Sequence, residues 1–157
     1  MTSELRVDKI HNEGGDNDSG IDLSTNDQIV LKTANTTRLT MNATGQTMIV
    51  GEGGSTTTNV QQGLTKVWAR VDQTGTQGID DSFNLTSITD GGTGLTTFTF
   101  ANDMNNAIYA VTACAEYNSL QSITAQATGS AGVAIMNASS AYEDRDMTSI
   151  KVSGDLA

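Results

Sequence analysis

The stretch TTRLTMNATGQTMIVGEGG, residues 36–54, sets the hardest condition on how this chain can fold. Apolar residues stand at Leu39 and Met41, a turn follows, and Met48 and Val50 precede a run of glycine and serine. Such spacing predicts short strands, because successive side chains of a strand point to opposite faces. Each strand carries too little apolar surface to build a core of its own. LRVDKI (Leu5, Val7) and GIDLS (Ile21, Leu23) share this thinness, and QIVLKT (Ile29, Val30, Leu31) is only a little denser. Between them lie HNEGGDNDSG, TND, ANT, ATG and EGGSTTTNVQQG, all turn or linker chemistry. Strands with so few large apolar residues make a poor free-standing sheet. Copies of the chain that intertwine around a threefold axis would close a narrow prism and remove its exposed edges. The expectation is therefore that these strands pack against other copies of themselves.

Composition leads to the same place. Hydrophobic residues make up 36% of the 157 and aromatics only 4%, so one copy alone has a thin core. Abundant threonine without proline favours strand over helix. TFANDMNNAIYA is the one stretch with a hint of helix, and its NDMNN centre reads better as a loop.

The second half is denser. LTKVWARVD alternates, with Val67, Ala69 and Val71 on one face and Trp68 and Arg70 on the other. SFNLTSITDGGTGLTTFTFA predicts a hairpin whose loop has glycine where positive φ is wanted. AIYAVTACAEY predicts a long strand, and QSITAQAT, GVAIMNAS and DMTSIKVSG follow. Six or seven strands over residues 63–157 suit a small antiparallel β-sandwich. The fold class expected is all-β: an attachment segment at 1–19, a trimeric β-prism-like shaft and linker at 20–62, and a sandwich head at 63–157.

Charge excludes whole classes of partner. The formal net charge is −10, with 4 basic against 8 acidic residues over 1–62 and 4 against 10 over 63–157. Nucleic acid needs a basic footprint that this chain lacks, and an anionic membrane surface is disfavoured for the same reason. The start MTSELRVDKI has no basic-then-apolar signal pattern, and no stretch has membrane-spanning length, so synthesis in a cytoplasm without membrane insertion is expected. The single cysteine, Cys114, leaves no intrachain disulfide framework and reads as a small buried hydrophobe.

Motifs for chemistry are weak. Asp16, Asp18 and Asp22 in DNDSGID invite a calcium reading, but Gly20 is one place early for the EF-hand loop and its closing glutamate is missing. Asp80 with Asp81, and Glu143, Asp144 and Asp146, could supply paired carboxylates for cutting glycans, yet they read as loop acids, with Arg145 satisfied among its neighbours. His11, in a polar loop, has no nucleophile to serve. No catalytic residue, metal ligand or cofactor is expected, and the protein reads as a non-enzyme. Aromatic faces stack on sugars and anchor interfaces, so Tyr142, Tyr117 and Trp68 are the candidate binding residues. Tyr142 is the one expected to be exposed, while Trp68 and Tyr109 also fit a core or a trimer seam.

GIDLSTNDQIVLKTANTTRLTMNATGQTMIVG, residues 20–51, resembles the shaft segments of bacteriophage tail fibre proteins. Residues 63–117 are similar to the C-terminal head of such fibres, as in phages of marine bacteria. The features that carry the likeness are KVW at 66–68, SFNLTSITDGGTG at 82–94 and AIYAV at 107–111. The resemblance implies a homotrimeric virion protein, held by other tail or capsid proteins through its N-terminal end. It also implies a head presented to a glycan or protein of the host surface. A capsid-decorating fibre without a receptor role would have much the same sequence, and a monomeric carbohydrate-binding module is the reading from another class.

Overall fold

A computed structural model describes residues 6–156 except 13, 15–17, 52, 53 and 55. Leu5 and Asp16, with the rest of residues 1–5, 13 and 15–17 of the expected 1–19 attachment segment, lie outside that set. The chain is all-β, with 56% of residues in strand and 3% in helix. It divides into two compact units, residues 1–61 and 62–157.

Unit 1 is one six-stranded antiparallel sheet in simple sequence order. Its strands are β1 (Lys9–His11), β2 (Gly20–Asp22), β3 (Ile29–Thr33), β4 (Thr36–Met41), β5 (Thr47–Val50) and β6 (Thr57–Asn59). The turns are built by local side-chain bonds. The Asn42 carboxamide oxygen accepts from the main-chain N–H of Thr44 and of Gln46, and Gly45 takes φ 78°. At Gly20 the strands come so close that a Cβ would fall 2.0 Å from the Ile10 carbonyl oxygen, so only glycine fits there. His11 pairs with this glycine in β1 and does not sit in the polar loop expected for it. The strand expected at LRVDKI thus pairs at Lys9 and Ile10 and runs on to His11. The six strands pair with one another within the chain. None of the described residues in this unit is buried.

Unit 2 begins with a short helix, α1 (Val60–Gly63, its first residues belonging to unit 1), and then forms a sandwich of two four-stranded antiparallel sheets. One sheet has the order β11 (Ala110–Ala115), β14 (Thr148–Ser153), β7 (Thr65–Asp72), β8 (Gly78–Phe83). The other has the order β12 (Leu120–Ala127), β13 (Ser130–Met136), β10 (Leu95–Phe100), β9 (Leu85–Asp90). The two pack through Val67, Ala69, Val71, Ile150 and Val152 against Phe98, Phe100, Val133 and Ile135, all buried. Each large apolar side chain so removed from water stabilises the fold by about 1.5–3 kcal/mol.

The expected hairpin is β9–β10, with Gly92 at φ 101° and Gly94 at φ 68° in its turn. Gly94 also lies where a Cβ would press on the Ile135 carbonyl oxygen at 2.3 Å. NDMNN lies in a loop, pinned by Met104, which is 1% exposed. The long strand expected at AIYAVTACAEY is shorter: it starts at Ala110, and Ile108 stands 91% exposed before it. Cys114 is exposed, against expectation. Val111, Ala113 and Ala115 take the core side of β11, which sends Cys114 outward by strand parity.

Candidate functional site

In unit 1 the register lines up one apolar row. Ile10 faces Ile21, Ile21 faces Leu31, Leu31 faces Leu39, and Leu39 faces Ile49, across five adjacent strands. Directly opposed residues share a face, so these side chains form a continuous stripe. Ile29, opposite Met41, widens it. Ile10, Ile29, Leu31, Met41 and Ile49 are each 39–47% exposed. A depression of 420 Å³ continues the stripe, lined by Leu23, Ile29, Met41 and the turn at 25–28.

The other face carries charge. Lys9 faces Asp22 there, and Lys32 forms an ion pair with Asp22. Hydrogen bonds from Lys32, then from Ser24, hold the Asp22 carboxyl well below the usual carboxylate range. Asp22 therefore serves the sheet, and the calcium reading loses one of its ligands; Asp16 lies outside the described residues. Among the described residues no cluster of three His, Cys, Asp or Glu could hold a metal ion.

Unit 2 places the aromatic candidates in two separate regions. Thr65, where the strands of this unit begin, pairs with Ser153, whereas Val71 pairs with Thr148. The loops at 73–77, 91–94, 116–119 and 137–147 thus gather at the end of the sandwich opposite Thr65. Tyr117 and Tyr142 both stand in these loops, 81% and 55% exposed. Arg145 lies 5.7 Å from the Tyr117 ring centre and pairs with Glu143 at 3.1 Å. Loss of hydration, then the neighbouring Asp146 carboxyl, pushes Glu116 upward.

This end is rigidly built. The buried Gln73 donates through Nε2 to Thr96 Oγ1 at 2.9 Å, and its Oε1 accepts from Thr148 Oγ1 at 3.0 Å. The main-chain N–H of Gln73 donates to the Arg145 carbonyl at 2.8 Å, and that of Gly94 donates to Asp144 Oδ1 at 2.6 Å. Glu143 and Asp144 are consequently half-buried anchors of the 137–147 loop, where the sequence suggested exposed acids.

Trp68 lies elsewhere, on the solvent face of the β11–β14–β7–β8 sheet. It is 39% exposed, because Val67, Ala69 and Val71 occupy the core side of β7. Phe83 is directly opposite it on β8 and 54% exposed. Sequence reasoning missed Phe83 by grouping it with Phe98 and Phe100. The signal available was Asp81, which shares its strand face and marks that face as wet. Tyr109 does belong to the core: its ring meets Phe100 edge-on at 5.9 Å and its hydroxyl donates to the Ala127 carbonyl at 2.9 Å. Asp80 pairs with Arg70 at 3.1 Å, so Asp80 and Asp81 do not form a free carboxylate pair.

Among the described residues no helix is long and apolar enough to cross a membrane. No family model, curated protein or solved structure matches this chain.

Proposed function

We propose that this chain is a structural protein of a phage virion: a homotrimeric tail fibre or fibre tip that assembles through unit 1 and meets the host surface through unit 2. The observation that carries the reading is the row Ile10–Ile21–Leu31–Leu39–Ile49, which no described residue of its own unit buries. A single-layer sheet with one apolar face is marginal in water and needs a second layer. The five residues of the row are uncharged in a chain of net charge −10, and the charge beside them is Arg38, bonded to Thr33, so copies can meet along the row without like-charged acids facing each other. Three such sheets around an axis would give each stripe its missing layer. The resemblance of residues 20–117 to fibre shafts and heads supplies the virion context.

Unit 2 then offers the host its rigid loop end, with Tyr117 and Tyr142 exposed, and its sheet face with Trp68. In this reading other tail or capsid proteins grip the N-terminal end. Light scattering on the whole chain tests the assembly. A mass three times 16.4 kDa is the expected result, and a monomer would remove the basis of the proposal.

A further inference from the structure

The solvent face of the β11–β14–β7–β8 sheet has a composition unlike the rest of this acidic molecule. Across its four strands one row reads Thr112, Lys151, Trp68, Phe83. The adjacent row reads Cys114, Ser149, Arg70, Asp81. All point away from the core, since the alternate positions Val111, Ala113, Ile150, Val152, Val67 and Ala69 face inward. Trp68 and Phe83 stand in adjacent strands as an exposed aromatic pair.

From this arrangement we infer that the Trp68–Phe83 face is a binding platform for an uncharged hexose polymer. The inference rests on the reading of unit 2 as the host-contacting part and names the ligand class and the side chains that receive it. Charge selects that class. Arg70 is held by Asp80 at 3.1 Å and also feels Asp72, and with Lys151 and Asp81 the face carries two basic and three acidic groups, so it offers no positive field in a chain of net charge −10. A polyanion meets net repulsion from the molecule and no compensating positive field here. A polycation would find stronger sites on the acidic loop end.

Sugars are different: the C–H face of a pyranose covers an aromatic ring, while its hydroxyls both donate and accept. Lys151 beside Trp68 supplies donors, Asp81 beyond Phe83 supplies acceptors, and Thr112 and Ser149 supply hydroxyls that do either. A protein partner of stable affinity would want a broader apolar centre than two rings.

The test is titration calorimetry of the full chain with laminarin and with dextran, and with alginate as the carboxylate-bearing comparison. Binding to a neutral polymer, weakened about tenfold by Trp68→Ala and by Phe83→Ala, is expected. Trp68→Phe should retain most of it, because a ring remains for stacking. Both positions are exposed, and circular dichroism checks that the variants fold. Binding only to alginate, unchanged binding in both alanine variants, or no binding to either neutral polymer would overturn the inference. So would a fall in native mass in Trp68→Ala, since the face would then be an interface between copies. A chain that stays trimeric and adsorbs to cells while ignoring neutral glycans would defeat this inference alone and leave the proposed function standing.

Discussion

The two units use the same local grammar and reach different ends. Both are antiparallel and both alternate apolar with polar residues, as in QIVLKT of β3 and KVWARVD of β7. In β7 the inward side chains Val67 and Val71 are 0% exposed, whereas in β3 Leu31 is 39% exposed. The difference is a second layer. Unit 2 returns a second four-stranded sheet over the first, and unit 1 has one sheet and no described buried residue. Alternation creates a face; only another layer makes that face a core.

The largest expected effect is on unit 1. Leu31→Asp or Leu39→Asp puts a carboxylate in the middle of the apolar row, where a facing copy would have to desolvate it. Each should convert the proposed trimer to monomer while leaving unit 2's thermal transition in place. Sedimentation showing intact trimers for both variants would break the comparison at its root.

Phe98→Ala should do the reverse. Emptying a fully buried site at the centre of the sandwich costs about 3–5 kcal/mol. Urea unfolding should show unit 2 weakened by that amount at every protein concentration. A loss that disappears at high concentration would mean that unit 2 also depends on other copies.

Gln73→Leu is a finer probe. It leaves the Thr96 and Thr148 hydroxyls without their shared partner and loosens the loop that carries Tyr142, for about 1–3 kcal/mol. Faster amide exchange at 141–146, with unit 1 unchanged, is the signature to look for.

Acid should separate the units by sign. Asp22 is lowered on folding, so its contribution is present above the ordinary value of 3.8 and is lost as pH falls through the folded value. Glu116 is raised, so its contribution is full below the ordinary value of 4.5 and is lost as pH climbs through the folded value. Asp22→Asn should flatten the acid limb of unit 1's stability, and Glu116→Gln should remove a small loss in unit 2 above pH 4.5. Both groups are half-buried with water still screening them, so these are the smallest effects. Urea midpoints followed against pH for each unit would reveal them.

Much of this was legible in the chain. SITDGGTG announced its hairpin because two glycines stand where the backbone must take positive φ. KVWARVD announced which face of β7 is apolar. The strand expected at LRVDKI was legible in part: Lys9 and Ile10 do pair, but where the pairing falls depends on Gly20, ten places beyond Ile10, allowing a close approach. Cys114 was misjudged because the small residues of AVTACA do not reveal which parity faces inward. The packing of Val111 and Ala113 settles it. Phe83 was grouped with its neighbours in sequence, when its neighbour in space is Trp68.

What the sequence by itself determined is local: strands, turns and the alternation that gives each strand two unlike faces, all set by backbone sterics and side-chain spacing. Which faces meet was decided by tertiary structure. The β11 alternation fits Cys114 in or out equally well, and only the packing of two sheets sent it to solvent. Burial is a property of pairs of surfaces, and a strand carries only one of each pair.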